Sequence, residues 1–192
     1  MRLGPVLTLA NILTFARILL APVFLVLYVE GETVRALAAF AAAAATDVLD
    51  GLVARALDQR TRLGAFLDPA ADKLLATCAL LALAARGGLP WWLPVLTVSR
   101  DAAQLLGAGA LRLIHHRIPI APTRIGKYAT FALAVTVLVA LSSEFGAFTR
   151  GQADPYVAAF GTVAAECVVV SFAQYFLYFV RSWRLPRAPD PG

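Results

Sequence analysis

Four aspartates, Asp47, Asp50, Asp68 and Asp72, stand within the single stretch "TDVLDGLVARALDQRTRLGAFLDPAADK" of a chain otherwise rich in alanine, leucine and valine. On a helix, residues three or four apart share a face. Asp47 and Asp50 therefore lie together near the end of one predicted helix, with Ala54 a turn further on, and Asp68 and Asp72 lie together at the start of the next. The intervening "RALDQRTRLGAF" is short, which makes the two helices antiparallel neighbours and lets the two acid pairs meet at one depth. An acid at a helix start is commonly a cap, and Asp68 followed by Pro69 fits that reading as well. Four converging carboxylates ask for more, because each charge in an apolar setting costs about 3 kcal/mol and like charges at close range force protonation. A divalent cation removes both difficulties. Oxygen donors with no histidine or cysteine beside them select Mg2+ or Mn2+, often bound together with a substrate's phosphates, and two ions bridged by shared carboxylates suit phosphoryl-group transfer.

The residues between the acids extend this chemistry. Gly51, Ala54 and Gly64 keep the helix surfaces bare, so that a ligand or a neighbouring helix can come close to the backbone. Arg55 offers a fork of donors matched to a diphosphate.

The elements that must carry these residues are set by composition. The chain has 192 residues, of which 60% are hydrophobic and 15% charged, and its mean hydropathy is +0.73. That balance lies outside the range of soluble domains and reads as an integral membrane protein. Apolar stretches long enough to cross a bilayer recur at residues 11–29, 33–57, 69–86, 90–114, 124–143 and 155–181. Blocks such as "RALAAFAAAAAT" suit closely packed helices, and the period-two alternation of a transmembrane barrel is missing. The expectation is an all-α integral membrane protein of six transmembrane helices. With the N-terminus inside, Arg2, Arg55, Arg60, Arg62, Arg112, Arg117, Arg124, Lys127, Arg181, Arg184 and Arg187 fall on the cytosolic side, and only Arg35, Arg86 and Arg150 face out. Both termini are then cytosolic, and the site opens to the cytosol from a multi-pass cell (inner) membrane. A pI near 9.7 follows from this topology beside an anionic leaflet and does not point to nucleic acid. Asn11 and Arg17 interrupt the first apolar run, which reads as a retained span and not as a cleaved leader. Residues 1–183 form one membrane domain, and residues 184–192 a short Pro-rich cytosolic tail.

The pattern Asp47-x-x-Asp50-Gly51-x-x-Ala54-Arg55, then eight residues, then Gly64-x-x-x-Asp68-x-x-x-Asp72, resembles the full signature of the CDP-alcohol phosphotransferase family. All eight specified positions are present at the family spacing, a coincidence rarer than about one in a million for this composition. The resemblance extends to six spans with cytosolic termini and to the N-terminal "NILTFAR". It implies transfer of a phosphatidyl or similar group from a CDP-linked lipid, usually CDP-diacylglycerol, to an alcohol, with release of CMP. By position it implies metal binding by Asp47, Asp50, Asp68 and Asp72, with Asp72 also the general base. It further implies nucleotide contacts at Gly51, Ala54, Arg55 and Gly64, and a homodimer.

The acceptor must be sought outside the signature. Arg100 lies inside an apolar span, "LPVLTVSRDAAQLLG", and requires a partner there. Asp101 is adjacent in sequence but is expected to point elsewhere on the helix. Arg100 is thus read either as half of an ion pair between spans or, with Arg124 and Lys127, as a basic pocket for an acceptor that itself carries phosphate. Glycerol 3-phosphate, phosphatidylglycerol and inositol phosphate qualify. "RIGKYAT" and "GAFLDPAADK" resemble the phosphatidylglycerophosphate synthases of the family, whereas "SRD" is nearer its cardiolipin synthases, and Ala129 stands where the former tend to carry a second basic residue. Glycerol 3-phosphate is preferred.

Competing readings are a divalent-cation transporter and a catalytically silent scaffold. The acids cluster at the cytosolic ends of two spans with no counterparts in the outer halves of others, which disfavours an ion path. His115 and His116 read as surface residues, Trp91, Trp92 and Trp183 as interface anchors, and Cys78 and Cys167 as packing residues.

Overall fold

The computed structural model describes residues 8–56, 62–114, 124–144 and 149–183. Within them lie six α-helices: α1 (Leu9–Val29), α2 (Thr33–Ala56), α3 (Arg62–Ala85), α4 (Trp92–Ile114), α5 (Arg124–Ser142) and α6 (Arg150–Trp183). The helices coincide with the six apolar stretches read from the sequence, apart from the starts of α3 and α6. Residues 184–192 and the segment holding His115, His116 and Arg117 lie outside the described residues.

By length and composition, three helices can cross a membrane among the described residues: Asn11–Val29, Arg124–Ser142 and Gly151–Val180. Helices α2, α3 and α4 are long enough but carry the charged residues considered below. Large apolar side chains stand exposed on every helix, among them Val34 at 82% and Leu106 at 74%. So much outward-facing apolar surface suits lipid and is unusual for a protein bathed in water.

The chain divides into two compact units, Met1–Leu89 and Pro90–Gly192. In the first, α1 packs on both α2 and α3. One stripe of α1 is buried: Asn11, Thr14, Arg17, Ala21, Phe24 and Tyr28 follow at steps of three and four. Ala36, Ala39 and Ala43 of α2 are buried at the same kind of spacing and let the α1 backbone come close. Phe24 fills the wider end of this seam, with ring centroids 5.2 Å from Phe40 and 5.6 Å from Tyr28. Substituting Ala43 by leucine is expected to wedge the seam open and cost about 1–3 kcal/mol, which a lowered thermal unfolding midpoint in detergent would register.

Helices α1 and α3 end the same way. Gly31 and Gly87 adopt left-handed φ values of +90° and +75°. In each case the next residue donates its N–H back to a carbonyl five residues earlier, Glu32 to Leu27 and Gly88 to Leu83, which closes a Schellman cap. The cap turns the chain within three residues, so α2 returns directly along α1. At this end Arg86 donates to Thr33 Oγ1 at 2.9 Å and lies 4.8 Å above the Tyr28 ring, tying all three helices together.

In the second unit, α6 packs on both α5 and α4. Small residues line the seams: Gly126, Ala129, Ala132, Thr136 and Ala140 on α5, with Ala153, Ala164, Val168 and Ser171 on α6.

Candidate active site

Helix α3 begins at Arg62, so Pro69 lies inside it and Asp68 is not its cap. The alternative reading of Asp68 as a capping residue is thereby removed. Gly64, Asp68 and Asp72 instead form one stripe, four residues apart, along the first three turns of a continuous helix. Gly64 is buried, while Asp68 is partly and Asp72 more fully exposed. On α2, Asp47 is exposed; Asp50, Gly51, Ala54 and Arg55 occupy the following two turns, and their side chains lie outside those described.

The two halves of the motif meet through α1. The Arg17 guanidinium is completely buried, and its Nη1 lies 3.0 Å from Asp47 Oδ1 and 2.5 Å from Asp72 Oδ1. One cationic nitrogen thus holds a carboxylate from α2 beside a carboxylate from α3. A turn earlier, Thr14, also fully buried, donates its hydroxyl to Asp68 Oδ1 at 2.8 Å. The acids of α2 and α3 thus converge, and α1 takes part in bringing them together, a contribution the sequence reading did not include. Arg17 is the ninth residue of α1, and at 1.5 Å per residue it sits about 12 Å from the helix start. Asp72 lies at a similar depth in α3, which runs parallel to α1. The level at which Arg17 meets the acids thus lies a little short of midway along the helices, in the half opposite the Arg86 tie.

Thr14 and Arg17 are the site residues that sequence reasoning missed. Arg17 was read only as an interruption of an apolar run and as part of "NILTFAR". The signal was available, because Asn11, Thr14 and Arg17 continue the spacing of the buried stripe, and buried polar residues at core positions require partners.

The donor chemistry fits a hard divalent cation: carboxylate oxygens from two helices, with Asp47 and Asp72 about half exposed at 55% and 54%. Among the described residues no three acidic, histidine or cysteine side chains close into a ligand group, and Asp50, which would join them, lies outside the described side chains.

In the second unit Arg100 is buried, with 8% of the residue exposed. Its Nη1 reaches Asp101 Oδ1 at 2.8 Å and its Nη2 donates to Ser171 Oγ on α6 at 3.1 Å. Asp101 thus does partner Arg100, contrary to the sequence expectation, because the long arginine side chain can fold back to its neighbour. Arg124 and Lys127 occupy the first turn of α5 three residues apart, and both are exposed. Cys78 is buried and Cys167 partly so, and neither is in a disulfide.

Comparison with known proteins matches residues 7–180 to the family model described as CDP-alcohol phosphatidyltransferase. A probable phosphatidylglycerophosphate synthase of Mycobacterium tuberculosis (strain H37Rv) is 37% identical over 183 residues, covering 92% of this chain and 82% of the relative. A cardiolipin synthase (CMP-forming) of Streptomyces coelicolor is 35% identical over 189 residues, covering 95% and 86%. A CDP-diacylglycerol–glycerol-3-phosphate 3-phosphatidyltransferase of Pseudomonas fluorescens is 46% identical over 84 residues, covering 42% of this chain and 43% of the relative. With a family match across nearly the whole chain and the complete aspartate signature on the helices that Arg17 draws together, the protein belongs to the CDP-alcohol phosphatidyltransferase family.

Proposed function

We propose that the protein transfers a phosphatidyl group from CDP-diacylglycerol to glycerol 3-phosphate and releases CMP. The observation that carries this reading is the gathering of Asp47 and Asp72, one from each half of the signature, on a single buried cation with their carboxylates open to one side. Asp47, Asp50, Asp68 and Asp72 would hold Mg2+ or Mn2+, two ions in all, which would offset the negative charge of the CDP-lipid diphosphate. Gly51, Ala54 and Gly64 leave the helix surfaces bare for the nucleotide, and Arg55 binds the diphosphate. Asp72 takes the proton from the acceptor hydroxyl, whose oxygen attacks the lipid-bearing phosphorus. The bond from that phosphorus to the bridging oxygen breaks, and CMP departs with the electron pair.

The enzyme is proposed to be a homodimer that spans the inner membrane six times, with both termini and the active site facing the cytosol. The distribution of basic residues supports this orientation, and the Arg86 tie places one of the three outward-assigned arginines at the end of its unit away from the acids.

Arg124 and Lys127, exposed on one face of α5, are assigned to the acceptor's phosphate. Arg100, whose Nη atoms are engaged by Asp101 and Ser171, would act from the rear of that pocket. Lys127→Ala is expected to raise KM for glycerol 3-phosphate about tenfold, since a charge-assisted contact is worth about 1.5–3 kcal/mol. KM for CDP-diacylglycerol should stay nearly constant. Equal changes for both substrates, or none for either, would remove Lys127 from the acceptor site. A second reading, cardiolipin synthesis with phosphatidylglycerol as acceptor, is favoured by the likeness to the Streptomyces coelicolor enzyme along 95% of this chain. Offering both acceptors to the purified protein decides between them by product identity.

A further inference from the structure

We infer that one face of α1 is an orienting layer for the metal-binding aspartates, with Thr14 setting Asp68 and Arg17 setting Asp47 and Asp72. This inference rests on the proposed metal site and adds to it two residues that lie outside the aspartate signature.

The geometry is specific. Thr14 and Arg17 are three residues apart on the buried stripe of α1 and are both fully buried. Their partners lie on two different helices, and each contact is made to a single carboxylate oxygen: Asp68 Oδ1 from Thr14, and Asp47 Oδ1 and Asp72 Oδ1 from Arg17. A contact to one carboxylate oxygen restricts the rotation of the group and so biases the direction in which it can offer its lone pairs. The half-exposed state of Asp47 and Asp72, set against the complete burial of Arg17, puts the guanidinium behind the acids and the accessible side in front.

The ion pairs of Arg17 with Asp47 and with Asp72 share one nitrogen, Nη1. That nitrogen brings one positive charge to both carboxylates at once. The charge also offsets part of the repulsion among the carboxylates before any cation arrives. Partners that hold ligating carboxylates from behind commonly govern metal affinity by 10–100-fold.

The test is Mn2+ affinity, read by electron paramagnetic resonance on full-length protein in nanodiscs without substrate, alongside thermal unfolding in EDTA. Thr14→Val removes one hydroxyl at nearly constant volume and is expected to weaken Mn2+ binding about tenfold. Arg17→Gln should weaken it by about 10–100-fold, and Arg17→Lys should bind more tightly than Arg17→Gln because it restores the point charge. Lowered unfolding temperatures with unchanged Mn2+ affinity in Thr14→Val and Arg17→Gln would overturn the inference and leave α1 a packing helix. If Arg17→Gln does not fold, Thr14→Val decides alone. Wild-type protein that binds no Mn2+ would overturn the metal reading itself, and this inference with it.

Discussion

Removing divalent cations with EDTA is expected to abolish CMP release, and Asp47→Asn or Asp68→Asn is expected to lower it by on the order of 10³-fold in the presence of Mg2+ or Mn2+. Asparagine keeps the volume and one oxygen but loses the charge that a hard cation selects. The two variants differ in what they leave behind. In Asp68→Asn the Thr14 hydroxyl still has an amide oxygen to donate to. In Asp47→Asn the buried Arg17 loses one of the carboxylates that compensate its charge. A less fully compensated guanidinium in an apolar helix seam is costly, so Asp47→Asn should also lower thermal stability in EDTA, and Asp68→Asn should do so less. Full turnover in EDTA would show that the carboxylates serve some purpose other than holding metal.

The second large effect concerns Asp72, to which two tasks are assigned. Asp72→Asn is expected to lower kcat by on the order of 10²–10⁴-fold, the range that general base catalysis contributes. It should weaken CDP-diacylglycerol binding far less, since in the proposed site Asp47, Asp50 and Asp68 would still hold cation. Stopped-flow or equilibrium binding of the CDP-lipid, compared with turnover on the same preparation, separates the two quantities. Loss of binding in proportion to rate would make Asp72 a metal ligand and nothing more.

The parts of this site that the sequence announced are those with a fixed spacing. The aspartate motif could be read directly, because i,i+3 and i,i+4 acids share a helix face whatever the tertiary arrangement. The helices followed from apolar runs, and the end of α1 and the start of α2 fall at the residues expected, with Gly31 supplying the left-handed cap between them. Helix α3 was placed too short for a physical reason. Pro69 removes an N–H and favours the first turn of a helix, but the helix extends back to Arg62 with proline in its interior. That extension turns Gly64 from a loop residue into part of the same stripe as the acids. Tertiary partnership was less legible. Among the described residues α1 packs on both α2 and α3, and no local pattern in "RALDQRTRLGAF" shows that its Arg17 joins acids from the two. The Arg100–Asp101 pair was missed because Cβ directions on a helix exclude i,i+1 contacts only for short side chains, and arginine is long enough to curl back.

Arg17 shows how a polar residue in an apolar run can be misread. By composition it resembles a flaw in a span; by position it is the third residue of a spacing that runs from Asn11 to Tyr28. A fully buried guanidinium persists only where carboxylates compensate it, so its burial alone points to acids on neighbouring helices.

The most direct measurement is CMP release by purified protein in lipid bilayers supplied with CDP-diacylglycerol, Mn2+ and glycerol 3-phosphate, with each of the three omitted in turn. The expected result is stoichiometric formation of CMP and phosphatidylglycerophosphate only when all three are present. CMP formation that proceeds equally without glycerol 3-phosphate or any other alcohol, or none with any alcohol offered, would contradict the assignment of this chain as a transferase acting between a CDP-lipid and an alcohol.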